Sequence, residues 1–355
     1  MDSILVPCLS ETLKIYDLHS VRIQNRIRDL ESIILSDKEL NDDEVRSTLN
    51  KILDQMINEA SLTDADRAII FSREKFFTPG TVIGDYELNK RGLHLFRLTA
   101  ATLIDYRRRA TLGYLSSDIT RAFAASGFWL CHNFLEPGQL QVVKNEISGI
   151  PNAENKTNKT LVFGKKTSNT LRSTMALHQD RKFLEILAIT SGMAMDRDLQ
   201  SHISNSAFIQ TVVHQDSSQD VQKNIHRDTF HPAFKWWFFL EKTYMKKGPF
   251  VYGPGSNRLT PTRMAWEYRQ SVDLTSEQVN KDSYDYGHKE GSFRANKDDL
   301  VELNVVPQPI EVPANTLLIA NVQGFHCRGD AQPGTLRRSL HGSIRRLAPL
   351  STNGL

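Results

Sequence analysis

Within NIHRDTFHPAFKWWFFLE, residues 224–241, two histidines and an aspartate stand just before an apolar run. On a strand, His226 and Asp228 project to the same face, because strand side chains alternate with period two. An imidazole and a carboxylate side by side can share a metal ion, provided a third ligand arrives from elsewhere in the chain. Two histidines and one carboxylate on one side of a metal, with its other positions open, suit non-haem Fe(II). The HxD triplet alone is a weak signal, and on its own a turn with a satisfied histidine and an Asx cap is the better reading of it. A second HxD, His214 and Asp216 in VVHQDSSQD, competes with it. The first is preferred because an aromatic strand and a PGS turn follow it, whereas a polar Ser/Gln run follows the second.

The segment NTLLIANVQGFHCRGDAQPGTLRRSLHGSIRR supplies further candidates. His326 closes an apolar strand, and Arg337 follows eleven residues later, after a Gly/Pro turn. On the last strand Arg337, Ser339, His341 and Ser343 share one face, and Arg338, Leu340 and Ile344 share the other. An arginine reaching into a pocket can clamp a carboxylate through two parallel hydrogen bonds. His341 reads as a pocket residue or a satisfied buried histidine, and His231 as a neighbour of the site. One of Trp236 and Trp237 must face a pocket. Cys327, next to His326, points away from it.

Elements that could position these groups are legible around them. Residues 1–115 read helical. In 42–60, Val45, Leu49, Ile52, Leu53, Met56 and Ile57 form one apolar stripe, and 11–35 and 92–109 also favour helix. Thr63 or Asp64 caps another helix. From about 116 the pattern mixes. A helix is expected to end near Ala125, FWLCHNF reads as a strand, a second helix follows Pro137-Gly138, and 182–199 looks helical. LRSTMALH reads as a strand, and it carries Arg172 and His178 as weaker pocket candidates. From about 205 short strands alternate with Gly, Pro and Asn, which predicts a sandwich or jelly-roll. The polar stretch 261–300 is expected to form a lid that selects substrate together with 151–175.

The order HxD, PGS, distant His, then Arg resembles the phytanoyl-CoA dioxygenase family of Fe(II)/2-oxoglutarate-dependent oxygenases. The matching pieces are HRD (226–228), KWWFFLE (235–241), GPFVYGPGSNRLT (248–260) and FHCRGDAQPGTLRRS (325–339). FAASGFWLCHNFLEPGQL (123–140) is similar to the start of that family's domain. The resemblance spans roughly residues 118–345. It implies an α+β protein with a double-stranded β-helix (jelly-roll, cupin-like) oxygenase domain in 116–355 with flanking helices; residues 1–115 lie outside the resemblance and are expected, from their own apolar pattern, to form a helical N-terminal extension. It implies His226, Asp228 and His326 as iron ligands. Arg337 would hold the distal carboxylate of 2-oxoglutarate, with Arg338 the alternative one register step away, and Ser339 would add a hydrogen bond. Asn257 stands where the family often has a histidine. Related halogenases replace the aspartate with a small residue, so Asp228 implies hydroxylation of an unactivated C–H bond. A small organic substrate and dioxygen would be consumed, with succinate and CO2 as co-products. Desaturation, cyclisation or epimerisation by the same fold, or a non-catalytic jelly-roll binder, are the rival readings.

The bulk properties fit this class. The chain has 355 residues, 39% hydrophobic and 24% charged, with 44 basic against 41 acidic side chains. That balance gives no reason to expect nucleic acid or an anionic membrane as a partner. Three scattered cysteines form no CxxC pair, and no basic start precedes an apolar block, so a cytoplasmic protein is expected.

Overall fold

A computed structural model describes residues 32, 42–57, 62–148, 161–166, 180–195, 199, 208–213, 221–276, 291–346 and 349–350. The helix expected at 11–35, the strand read at 171–178 with Arg172 and His178, the competing His214 and Asp216, and most of the 151–175 loop lie outside these residues.

Helices dominate the first part: α1 (Asp42–Ile57), α2 (Asp64–Phe71), α3 (Tyr86–Lys90), α4 (Leu93–Thr111) and α5 (Asp118–Ala125). The stripe on α1 is what folds it down, since Val45, Leu49, Ile52 and Leu53 are all buried. Thr63 caps α2 in a reciprocal capping box with Asp66, which satisfies two orphan N–H groups of the first turn. α6 (Pro137–Ser148) begins at its proline, where the missing N–H costs nothing, and α7 (Arg181–Ser191) is capped by Asp180.

The strands are β1 (Phe128–Cys131), β2 (Leu161–Lys166), β3 (Phe208–Val213), β4 (Phe234–Phe239), β5 (Phe250–Tyr252), β6 (Gln308–Ile310), β7 (Thr316–Asn321), β8 (His326–Arg328) and β9 (Leu336–Ile344). They form two antiparallel sheets, one of six strands in the order β1-β7-β4-β9-β3-β2 and one of three in the order β6-β5-β8. Period-two alternation divides β4 cleanly. Phe234, Trp236 and Phe238 join Leu317, Ile319, Leu340 and Ile344 in a core under α5 and α7. Trp237 and Phe239 pack instead with Leu318, Ala320, Phe250, Tyr252 and Ile310, between the two sheets. Trp237 is therefore the inward tryptophan. A sheet covered on both faces explains why FKWWFF and TLLIAN read as near-continuous apolar runs.

The expectation of a lid at 261–300 fails for its described parts. α8 (Pro261–Thr275) is sunk into the helical core, where Met264, Trp266 and Glu267 are fully buried, and α9 (Lys297–Glu302) packs beside it. The error has a physical reason. The charges that made this stretch look solvated, Arg263 and Glu267, neutralise each other and Arg227 inside the protein. Leu93, Phe96 and Ile104 of α4 share this core with Trp266, Phe293 and Phe325, so the N-terminal helices pack directly on the segments flanking His226 and His326.

Candidate metal centre

His226 and His326 are a hundred residues apart in sequence, yet they exchange both backbone hydrogen bonds as an antiparallel pair, N–H to O distances 3.0 and 2.8 Å. This pairing extends the small sheet beyond β8 and sets the two rings 4.7 Å apart. The N–H of Asp228 donates to Val322 O at 2.9 Å, and that of Arg227 to Phe293 O at 2.9 Å. The segment is thus stitched on both sides. The PGS turn braces the other half. Gly253 N–H donates to Phe325 O, and Phe325 N–H to Ser256 Oγ, each at 2.8 Å. Asn257, the next residue of the turn, donates through Nδ2 to Phe123 O at 3.1 Å and ties the turn to α5.

His226, Asp228 and His326 converge and are all buried, each offering one donor atom within 4.8 Å of the others. Asp228 Oδ1 lies 3.6 Å from His226 Nε2 and 3.8 Å from His326 Nε2. These separations exceed a good hydrogen bond. They suit three donors around one cation, each about 2.0–2.2 Å from it. Tautomers are fixed by the backbone. His226 Nδ1 faces Asn224 O at 2.7 Å and His326 Nδ1 faces Gly324 O at 2.9 Å. A carbonyl accepts only, so each Nδ1 carries the proton and each Nε2 presents its lone pair to the centre, the usual support for a metal-bound histidine.

The electrostatics agree. Burial, reinforced by His326, pushes His226 down to about 3 despite the pull of Asp228. Burial likewise lowers His326. Burial opposes ionisation of Asp228, but Lys235, His326 and His226 override it and hold the carboxyl well below its usual range. At neutral pH the three donors are two neutral imidazoles and a carboxylate, all competent ligands without losing a proton. The two oxygens of Asp228 divide their tasks: Oδ1 faces the histidines, while Lys235 Nζ holds Oδ2 at 2.6 Å and Arg345 stands 3.5 Å from it.

A cavity runs from His226 and His326 past Trp237, Phe239, Phe250 and His341 to Arg337. The register explains its wall. β4 and β9 pair Lys235 with Ser343, Trp237 with His341 and Phe239 with Ser339. His341 stacks on Trp237, ring centroids 4.8 Å apart, and its Nδ1 is satisfied by Trp236 O at 2.9 Å. The histidine is therefore both a cavity wall and a satisfied buried group. Arg337 is buried and bonds Gly248 O, while Arg338 lies on the opposite face and is half-buried. Ser339 shares the Arg337 face and is buried. Cys327 pairs across from Val251, on the face away from His326, as alternation requires. His231 is buried beside Phe230 with Nδ1 at Pro232 O, and burial pushes it down to about 3.

Sequence reasoning missed several groups here. Lys235 was detectable, since it is the one charge inside an aromatic strand and shares the Trp237 face. Arg345 continues the odd-numbered row of β9 past its end. Lys75, which donates to Asp228 O at 2.8 Å and Ser292 Oγ at 3.1 Å, leaves no trace in the local pattern.

No protein-family profile matches the sequence, and no curated protein matches it. Solved structures similar to the chain include the non-haem alpha-ketoglutarate-dependent epimerase SnoN from nogalamycin biosynthesis, 9% identical, covering 64% of this chain and 81% of SnoN with a TM-score of 0.39. HygX from Streptomyces hygroscopicus, with nickel, 2-oxoglutarate and hygromycin B bound, is 11% identical and covers 64% and 86%, with a TM-score of 0.38. EctD from S. alaskensis, with 2-oxoglutarate and 5-hydroxyectoine, is 10% identical and covers 65% and 76%, with a TM-score of 0.40. Among the described residues no helix is long and apolar enough to cross a membrane.

Proposed function

We propose that the chain is a non-haem Fe(II)/2-oxoglutarate-dependent dioxygenase built on a double-stranded β-helix, and that it hydroxylates an unactivated C–H bond of a small organic substrate. The observation that carries this reading is the coincidence of a buried His-Asp-His set, its Nε2 lone pairs directed inward, with a buried arginine at the far end of the same cavity. His226, Asp228 and His326 would hold the iron on one side, leaving positions for a bidentate keto acid and dioxygen. Held there, the iron would supply, together with 2-oxoglutarate and dioxygen, the oxidising power to hydroxylate carbon, one oxygen atom ending in succinate, formed with CO2, and the other in the product. The protein's residues then have defined tasks. Arg337 binds the distal carboxylate of 2-oxoglutarate and Ser339 adds a hydrogen bond beside it. Trp237, Phe239 and Phe250 exclude water from the keto acid. Lys235 fixes Asp228 so that a single oxygen faces the metal.

The test is anaerobic titration of the purified protein with Fe(II) and 2-oxoglutarate, followed by succinate release in air. Wild type should develop the visible charge-transfer band of an iron-bound keto acid, and Asp228→Ala should not. A wild type that binds neither iron nor 2-oxoglutarate, and forms no succinate with any compound of a broad panel, refutes the proposal.

A further inference from the structure

On the side of Asp228 away from Arg337, the charges do not balance. Lys235, Lys75 and Arg345 converge on Asp228, and no other carboxylate of the described residues pairs with any of them. Lys235 is taken up by Oδ2. Lys75 is built into place. Fully buried Arg97 donates to Ile70 O at 2.9 Å, Ser72 O at 3.2 Å and Glu74 O, which fixes the loop ahead of Lys75. Gly291, at φ 68°, lets the chain pass directly against the Lys75 carbonyl, where a Cβ would clash. The Lys75 ammonium bonds only neutral oxygens, Asp228 O and Ser292 Oγ. Arg345 is 32% exposed and only skirts Asp228 at 3.5 Å, so its fork is open to a ligand. The negative charges of 2-oxoglutarate do not help here. They belong to the iron and to Arg337, near the start of β9, whereas Arg345 lies just past its end, eight residues on, about 26 Å of extended chain.

We infer that Lys75 and Arg345 form a subsite for an oxyanion, a carboxylate or phosphate group carried by the substrate to be oxidised. This rests on the oxygenase reading and adds the substrate's class: an acid whose anionic group docks beside the metal, opposite 2-oxoglutarate. An arginine fork and an ammonium on one side of a partly desolvated site are the groups that recognise such an anion.

The experiment uses acetate and inorganic phosphate as probes, titrated calorimetrically at low ionic strength into the metal-free protein and into protein loaded with Ni(II) and 2-oxoglutarate. Wild type should bind one probe in both forms, and Lys75→Gln with Arg345→Gln should weaken it about tenfold or more, the effect of losing charged hydrogen-bond partners. Lys75→Arg with Arg345→Lys should restore most of the affinity, which separates charge from misfolding. Tighter acetate indicates a carboxylate substrate, and tighter phosphate a phosphate ester. No binding by wild type, or equal affinity in the Gln double variant, overturns the subsite. Ni(II) and 2-oxoglutarate binding are read on the same samples. Their absence sinks the oxygenase reading, while the metal-free titration still decides the subsite.

Discussion

Glu267→Gln isolates the charge of one buried carboxylate with almost no change in shape. Glu267 sits on α8, fully buried, and accepts from Arg227 (Nε, 2.9 Å; NH2, 2.5 Å) and from Arg263 (Nε, 3.0 Å; NH2, 2.8 Å), with His94 Nε2 at 2.8 Å. Burial opposes its ionisation, but Arg227 and Arg263 hold it well below the usual carboxylate range. Gln keeps an acceptor oxygen but leaves two arginines, 1% and 2% exposed, without a counter-charge. Removing one partner of a buried pair costs about 3–5 kcal/mol, a large part of the 5–15 kcal/mol that a domain possesses. The assay is urea unfolding, in which the midpoint should fall at unchanged slope. A loss below about 1 kcal/mol would refute the reasoning. A second readout separates positioning from bulk stability. Arg227 lies between His226 and Asp228, and Arg263 Nη1 and Nη2 hold Ser256 O at 2.8 Å, in the PGS turn, and Gln323 O at 3.0 Å, three residues before His326. Glu267→Gln should therefore weaken Ni(II) binding about 10- to 100-fold, the range for groups that orient metal ligands. Leu49→Ala, a cavity at the α1 end of the helical core costing about 2–5 kcal/mol, removes no hydrogen bond or charge near the histidines and should leave Ni(II) affinity unchanged. Equal weakening in both variants would show that Glu267 contributes only stability.

Three further outcomes follow from the same structure. Arg337→Ala should raise the 2-oxoglutarate dissociation constant by about 30-fold or more, the loss from truncating a buried charged partner. Ni(II) affinity, measured on the same protein without 2-oxoglutarate, should stay within about threefold. Burial holds His94 at about 4 and His231 at about 3, against about 6.5 unfolded. Their stabilisation is thus complete above about pH 6.5 and lost as pH falls, by up to about 1.4 kcal/mol per pH unit for each. The depressed Glu267 acts with the same sign below its ordinary range, so urea midpoints should drop steadily from pH 7 to pH 4.5, and a flat profile would contradict these burial-driven values. Gly342→Ala should destabilise by about 1–3 kcal/mol in thermal unfolding, because the added methyl would fall inside the Trp236 indole.

How much of the site is legible in the sequence depends on how local each cause is. Alternation along β4 and β9 is a two-residue effect, so the common face of Arg337, Ser339 and His341 can be read from spacing alone. The stripe on α1 and the cap at Thr63 are equally local. Pairing of His226 with His326 is a tertiary event, legible only through the family-like order of motifs around it. Lys75 meets Asp228 across 153 residues, and nothing in SREKFF marks it. The misread region was α8. Polar composition means solvent only when the charges lack internal partners, and the partners of Glu267, Arg227 and His94, come from 40 and 173 residues away.

The recruitment of α8 follows from how little regular structure holds the three candidate metal ligands. β8 has three residues, and His226 is joined to its neighbours by isolated bridges rather than by a long strand. A short ladder frays, and a ligand set that wanders by an ångström binds metal poorly. Alternation resolves this within the HRD triplet itself. His226 and Asp228 turn toward the metal centre, so Arg227 must turn the other way, into the helical core. There Glu267 holds it, and through Arg263 the same carboxylate grips the PGS turn and the turn that leads into His326. Anchorage on one face and chemistry on the other come from three consecutive residues. The buried charges of α8 thus do for rigidity what additional strand pairing would do elsewhere.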